Sequence, residues 1–262
     1  MIASQTLYFL YENDVLRGDS MDDNKLLRIF NDAGATYGYR YVDASFKRTR
    51  NLRVDWRVNG VRLEVDVPDY LDILPDVLMV GLADRVCDHI RNKTPLEHTQ
   101  ELQDFLHSDR FVSIKQPIFV ERDGHLLYEP AYQGVDINRM YTRLIQLDLL
   151  DPYQARPTIM WSTNPVAPWG VDAWFDLIRL PTWLSHPDIP DELRVYMLYE
   201  EIIRLDFEDQ SDPEATAAVE LYPNHKVLSG FSKLLRTSVR EATMNRGTVS
   251  HVIKTICKDF VL

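Results

Sequence analysis

Two adjacent carboxylates, Glu200 and Glu201, lie in a predicted helix that extends from Pro190 to Arg204 and is strongly apolar just before them. Carboxylates and imidazoles are the side chains that most often hold divalent metal ions or move protons in enzymes. His225 is the first histidine downstream of the pair. These three residues are therefore the ones that could form an unusual ligand set around a metal ion and activate a water molecule.

Other catalytic patterns are missing from the sequence. The remaining histidines show neither H-x-x-x-H nor H-x-H spacing, and there is no Gly-rich phosphate loop and no Gly-x-Ser-x-Gly turn. Cys87 and Cys257 both lie in apolar helical patterns, which favours two reduced, buried thiols over a disulfide or a cysteine zinc site. The histidines outside the candidate set are His89, His98, His107, His125, His186 and His251.

The segment around the carboxylate pair resembles the metal-binding region of zincin peptidases, specifically the archaeal and bacterial SprT-like and WLM-like groups. In those groups an apolar strand and a proline-containing turn precede a helix that carries H-E-x-x-H. Phe175 to Leu180 resembles the strand, Trp183 to Pro190 the turn, and Tyr196 to Leu198 the apolar approach to the motif. The resemblance implies an α+β fold for the second half of the chain.

The H-E-x-x-H motif needs two imidazoles one helical turn apart, with a Glu beside them that polarises the metal-bound water. This chain keeps only the Glu, as Glu200. Tyr199 stands at the first ligand position and Ile203, whose alkyl group cannot coordinate, at the second, while the third ligand aligns with Val227. Coordination of a structural zinc ion contributes on the order of 10 kcal/mol, and losing two imidazole ligands removes most of that free energy. We therefore expect no bound metal and no cofactor.

The resemblance also implies a cleft beside this helix, kept for binding rather than hydrolysis. Glu200 would be a vestigial general base there, and Glu201 should face outward into solvent. An edge strand in such a cleft can still bind an extended peptide, because β-addition needs only backbone groups and side-chain pockets. The residues expected to line the cleft are Tyr199, Ile203, His225 and Trp183.

A matched order of signals predicts an internal duplication, in which each half runs helix, strand, strand, helix. Segments 52–56 and 158–161 pair as first strands that end in Trp, and 60–67 and 171–180 as second strands. The helices that follow Pro75 and Pro190 end each repeat, and we align Ala83 with Tyr199. Neither half then has metal ligands.

These signals predict an α+β protein of two related lobes. The N-terminal lobe, a degenerate repeat, covers 1–92, a structured connector covers 93–135, and the C-terminal zincin-like lobe covers 136–262 with extra helices at its end. No apolar run is long enough to span a bilayer. We expect a cytoplasmic protein that makes no membrane contact.

The net charge of −11 repels polyanions at long range, so nucleic acid is an unlikely partner and an unknown protein or peptide is expected instead. One dense basic run occurs, in and before the first-half strand. We interpret it as a solvated edge strand whose positive charges discourage strand association. The run consists of Lys47, Arg48, Arg50, Arg53 and Arg57.

Three functions follow from these observations. The favoured one is a catalytically inactive zincin-like protein with a binding or assembly role. The alternative is a metal-dependent peptidase in which Glu200, Glu201 and His225 form an atypical ligand set. A second alternative is a nucleic-acid-associated accessory factor, because SprT-like relatives act near DNA, and its contacts would be Lys47, Arg48 and Arg50.

Overall fold

A computed structural model of the chain describes residues 20–165, 167, 169–207, 212–245 and 247–260. These residues form an α+β protein with helices and small sheets, as predicted. The chain divides into two compact units, 1–122 and 123–262, so the predicted connector 93–135 is shared between them. Within the described ranges, none of the helices combines the length and the apolar character that crossing a membrane requires.

From residue 20 onward, the described part of the first unit runs through a helix, three strands, a 3₁₀ helix and three further helices. Its elements are α1 (Asp23–Thr36), β1 (Tyr41–Lys47), β2 (Asp55–Asn59), β3 (Arg62–Pro68), a 3₁₀ helix (Asp69–Ile73), α2 (Asp76–Asn92), α3 (Gln100–Leu106) and α4 (Asp109–Asp123).

The sheet of the first unit has the strand order β1-β3-β2. Gly60 has a φ of 59° in the two-residue turn formed by Gly60 and Val61 between β2 and β3, and these strands pair antiparallel. Strand β1, which the sequence analysis did not predict, pairs parallel with β3. The central strand β3 buries Leu63, Val65 and Val67 and exposes or half-exposes the residues between them, which is the period-two pattern of a sheet with one buried face.

The second unit also alternates helices with short strands before its C-terminal helices. Its elements are β4 (Leu126–Leu127), β5 (Ala131–Tyr132), β6 (Val135–Asp136), α5 (Ile137–Gln146), β7 (Thr158–Ser162), β8 (Gly170–Asp172), a 3₁₀ helix (Ala173–Phe175), β9 (Leu177–Pro181), a 3₁₀ helix (Thr182–Ser185), α6 (Asp191–Asp206), α7 (Pro213–Glu220), α8 (His225–Met244) and α9 (Val249–Cys257).

The main sheet of the second unit has the order β4-β7-β9-β8, with β7 parallel and β8 antiparallel to β9. The single strand predicted over 171–180 is therefore wrong, because a 3₁₀ turn at Ala173–Phe175 divides it into two strands. Gly170 lies at the start of β8, where a Cβ atom would be 2.7 Å from the Arg179 guanidinium. The absence of a side chain lets Arg179 fold over the strand.

Both units contain the order helix, three strands, 3₁₀ helix, helix, so the two-strand repeat predicted from sequence is wrong. In each unit the last strand lies between a parallel and an antiparallel neighbour. By its parallel pairing with the last strand of its sheet, β7 corresponds to β1. The predicted alignment of segment 52–56 with segment 158–161 is therefore wrong. The Trp that ends each segment suggested this alignment. However, Trp56 lies in β2, which is antiparallel to β3, whereas Trp161 lies in β7, which is parallel to β9.

The helices that follow the sheets can be aligned by their first residues, since Pro75 and Pro190 are the N-cap residues of α2 and α6. This alignment places Asp84 opposite Tyr199 and Val86 opposite Glu201. The predicted match of Ala83 with Tyr199 is therefore displaced by one residue. Val86 is fully buried in the core of its unit, at the same distance along its helix from the N-cap proline as Glu201.

Two basic side chains of α4 fix this helix to the 3₁₀ helix of the first unit. Lys115, which is 4% exposed, places Nζ 2.5 Å from Oδ1 of Asp72 and also donates to the carbonyl of Asp69 at 3.3 Å. Arg122 donates to both carboxylate oxygens of Asp69 at 2.7 and 2.5 Å. These contacts join α4 to the 3₁₀ helix that follows β3.

The buried ion pair of Lys115 with Asp72 should contribute more to the free energy of unfolding than an exposed ion pair in the same unit. Asp72→Asn should lower the free energy of unfolding by about 3 kcal/mol, because it leaves the buried Lys115 ammonium without a counter-charge. Asp76→Asn removes the partner of Lys25, where both side chains are largely exposed, and should cost less than about 1 kcal/mol. Urea denaturation of both variants measures the two costs, and equal costs would contradict the assignment.

Candidate functional site

Helix α6, which carries the candidate residues, is a core helix of the second unit. Ten of its sixteen residues are buried, including the whole stretch from Leu193 to Tyr199. Burial on this scale means that packing surrounds the helix, whereas a helix beside an open cleft would expose one face. Its side chains are therefore fixed by the core around them.

Tyr199 and Ile203, the two residues at the ligand positions of the zincin motif, lie in the hydrophobic core. They are 1% and 7% exposed. The Tyr199 hydroxyl donates to the carbonyl of Ala218 in α7 at 2.8 Å, and its ring contacts Tyr222 with centroids 5.7 Å apart. The structure thus places them in packing positions and not on a cleft wall, because an alkyl group and an aromatic ring gain free energy from burial.

Glu200 faces helix α8. Its Oε2 atom accepts hydrogen bonds from Oγ of Ser232 at 2.6 Å and from Nη2 of Arg236 at 2.8 Å. The side chain is 16% exposed, so these protein donors take much of the place that water would have around the carboxylate. Glu200 is a structural ion-pair partner in this arrangement.

Glu201 is completely buried, so the prediction that it faces outward is wrong. Its Oε1 atom accepts from Nη1 of Arg236 at 2.6 Å and from Nη1 of Arg204 at 3.0 Å, whereas its Oε2 has no hydrogen-bond partner among the described residues. The position corresponds to Val86 in the first unit. The helix geometry therefore points residue 201 into the core whatever its chemistry.

Arg236 joins the two carboxylates, and sequence reasoning missed it. Its guanidinium bridges Glu200 and Glu201, its Nε donates to Ser232 at 3.2 Å, and its charged end lies 4.2 Å from the centre of the Trp169 ring. A planar guanidinium can satisfy several acceptors and an aromatic face at once. We call Glu200, Glu201, Ser232 and Arg236 the carboxylate–arginine cluster.

Trp183, one of the predicted cleft residues, reaches this cluster only through Trp169. The two indole rings meet edge to face with centroids 5.5 Å apart. Trp169 thus lies between Arg236 and Trp183. Trp169 packs on the positive end of the cluster, while 17% of the Arg236 side chain stays exposed.

His225, at the start of α8, contacts α6 through Tyr196. The Tyr196 hydroxyl lies 3.0 Å from Nδ1 of the imidazole. Burial and the nearby Glu200 carboxylate raise the pKa of Tyr196 well above its usual value, so this phenol stays protonated near neutral pH. His225 is therefore part of a polar chain that runs between α6 and α8.

The structure does not bring Glu200, Glu201 and His225 together as a ligand set. No group of three or more His, Cys, Asp or Glu side chains in the described part of the chain is arranged to hold a metal ion. Val227, which aligned with the third ligand of the zincin family, is 44% exposed. Ser232 and Arg236 occupy the stretch of α8 that meets Glu200 instead. One signal could have found Arg236: it follows Ser232 by one turn on a helix whose apolar face packs inward.

A well-defined cavity in the described part of the second unit lies elsewhere on α6, at its N-terminal end. It measures about 710 Å³, and none of the predicted cleft residues lines it. Burial raises the pKa of the Tyr222 hydroxyl in its floor to about 12, with Arg143 opposing and Glu192 adding to the shift. Residues along its walls include Arg139, Arg143, Glu192, Val195, Tyr222 and Leu228.

The raised pKa of Tyr222 predicts a loss of stability in alkali. The folded state holds the phenolic proton above pH 10, where an unfolded chain releases it, so this contribution is complete below pH 10 and disappears as the pH rises through about 12. Tyr222→Phe should flatten the fall of the urea midpoint over that interval. Tyr153→Phe, at a residue that is 94% exposed, should leave the pH dependence of the urea midpoint unchanged. The same pH dependence in both variants would contradict the raised pKa of Tyr222.

The two arginines that contact Glu201 should differ in their effect on stability. Arg236→Gln leaves a fully buried carboxylate short of its main counter-charge and should cost about 3 kcal/mol or more. Arg204 is 39% exposed, so Arg204→Gln should cost less than about 1 kcal/mol. Chemical denaturation of both variants tests the ranking, which a larger loss in Arg204→Gln would reverse.

Comparisons with known proteins found no relative of this chain. No family model matches it, and neither a curated protein nor a solved structure does. The resemblance of α6 to the zincin helix therefore rests on sequence alone, and the functional conclusion has to come from the geometry of the described residues.

Proposed function

We propose that this protein is a non-catalytic, zincin-like binding or assembly protein built from two related lobes. In this proposal the helix that would carry the metal site of a peptidase has become a structural element. Arg236 supplies the positive charge beside Glu200 and Glu201. The protein then acts through its surfaces and not through hydrolysis.

The bridge made by Arg236 is the observation that carries the proposal. A general base needs an oxygen that can accept a proton from a substrate or a water molecule. In this chain Oε2 of Glu200 already accepts two hydrogen bonds within 2.8 Å, one of them from a charged guanidinium. Protonating Glu200 would weaken its ion pair with Arg236, the same guanidinium that pairs with the buried Glu201.

The packing of Tyr199 and Ile203 supports the same conclusion. To serve a cleft, both residues would have to leave the core, and exposing a side chain of this size costs about 1.5–3 kcal/mol. The loss of the Tyr199 hydrogen bond to Ala218 would add to that cost. The native arrangement therefore opposes a mobile or open active-site helix.

The common order of elements in the two units supports related lobes. Each unit includes a helix followed by three strands with the same mixed pairing, a 3₁₀ helix after a proline, and a proline-capped helix, with an additional 3₁₀ turn before the last strand of the second unit. A shared order of this length fits duplication of one ancestral unit. The first unit has neither of the two carboxylates, since its corresponding residues are Arg85 and Val86.

Metal analysis and a peptidase assay test the proposal together. Protein purified without a polyhistidine tag should contain zinc far below one atom per chain after dialysis against zinc and then against buffer. It should also fail to hydrolyse unfolded casein with or without added zinc. Glu200→Gln should behave like the parent protein in both measurements.

A stoichiometric metal ion would contradict the proposal and favour the metal-dependent peptidase. Casein hydrolysis that Glu200→Gln abolishes would contradict it as well, because such a loss assigns Glu200 to the chemistry. Hydrolysis that persists in Glu200→Gln and disappears after further purification would identify a contaminating protease and leave the proposal supported.

A further inference from the structure

Strand β2 leaves one edge of the first sheet open among the described residues. It pairs with β3 on one side, and no described strand pairs with it on the other. Four of its five residues are exposed, including Val58 at 45%. An exposed edge of this kind can accept another strand.

The register of the hairpin shows which backbone groups point outward. The two-residue turn makes Asn59 and Arg62 the pair next to the turn, and hydrogen-bonded pairs alternate along an antiparallel ladder. Trp56 and Val58 therefore direct their N–H and C=O groups away from β3. Neither residue makes another backbone hydrogen bond to a described residue.

The opposite edge of the same sheet is protected. The Asp23 carboxylate, at the start of α1, accepts a hydrogen bond from the backbone N–H of Phe46 in β1 at 2.7 Å. Helix α1 also packs along β1. One edge is thus covered by the chain itself, whereas the edge at β2 is not covered by the described residues.

The loop that leads into β2, and β2 itself, carry a group of exposed cations. The backbone of the loop is fixed because Arg122 donates to the Thr49 carbonyl at 3.3 Å and Asn51 accepts from the N–H of Arg53 at 3.1 Å. We call the exposed cations around the edge the basic flank. It consists of Arg48, Arg50, Arg53 and Arg57, of which only Arg53 has an ion-pair partner among the described residues, Asp55 at 3.3 Å.

We propose that the open edge of β2 binds an extended acidic segment of a partner protein by β-addition. The outward backbone groups of Trp56 and Val58 would hydrogen-bond to the added strand, and the basic flank would pair with its carboxylates. The inference concerns the first unit alone and is independent of the function proposed for α6.

Charge decides between this partner and two others. In an antiparallel pair of two β2 strands centred on Arg57, this cation would face its own copy, and like charges directly opposite each other destabilise strand pairing. A nucleic acid would meet the long-range repulsion of a chain with a net charge of −11. A short acidic strand gains contacts with the basic flank and brings few charges close to the rest of the protein.

The probe is a fluorescein-labelled heptapeptide of alternating Glu and Val, blocked at both ends. Anisotropy at low salt should show saturable binding that weakens as salt is added, and the same peptide with Lys in place of Glu should bind more weakly. Hydrogen exchange at the Trp56 and Val58 amides should slow when the acidic peptide is bound. Absence of binding, or no preference for Glu over Lys, would overturn the proposal.

Three variants separate β-addition from simple charge attraction. Arg50→Glu/Arg57→Glu should weaken binding by about tenfold, while Arg28→Glu on the distant face of α1 should not. Val58→Pro removes an outward N–H that the β2–β3 ladder does not use, and a proline is tolerated at such an edge position. It should abolish binding while circular dichroism remains that of the parent.

Two results would replace the proposal with another partner or mechanism. Peptide binding that Val58→Pro leaves intact, with no protection of the two amides, would show charge attraction without strand pairing. Tighter binding of a labelled single-stranded oligonucleotide, lost in Arg50→Glu/Arg57→Glu, would assign the basic flank to nucleic acid.

Discussion

A carboxylate in a protein core needs a positive partner, and in the second unit that partner is Arg236. Removing water from an unpaired charge costs several kcal/mol, so a carboxylate with no exposed surface, such as that of Glu201, requires a counter-charge beside it. The Arg236 guanidinium serves Glu201 and Glu200 at once and stacks on Trp169. One side chain therefore connects α6, α8 and the segment before β8.

The first unit shows that its fold can form without this cluster. At the positions of Glu200 and Glu201 it has Arg85, which is exposed, and Val86, which is buried. Its buried cations lie instead on α4, where they contact the 3₁₀ helix after β3. The carboxylate–arginine cluster is therefore a specific feature of the second unit, and its cost in desolvation is consistent with a role in specifying how α8 packs.

The sequence predicted the elements whose signals are local. The strand predicted over 60–67 and the helix predicted after Pro190 both depend on neighbouring residues, and both are present. Strand β1 was missed because its buried side chains are interrupted by polar ones and its pairing with β3 is parallel and non-local. The side of α6 that Glu201 faces was also missed, because glutamate is usually solvated and its partner lies 35 residues further along the chain.

The central claim is that Arg236 and Glu201 depend on each other energetically. A double-mutant cycle with Arg236→Met, Glu201→Val and both together measures this dependence directly from free energies of unfolding. The account predicts a coupling of about 2 kcal/mol or more, with the double variant more stable than either single one, since Val is what the first unit buries at this position. A coupling near zero would contradict it.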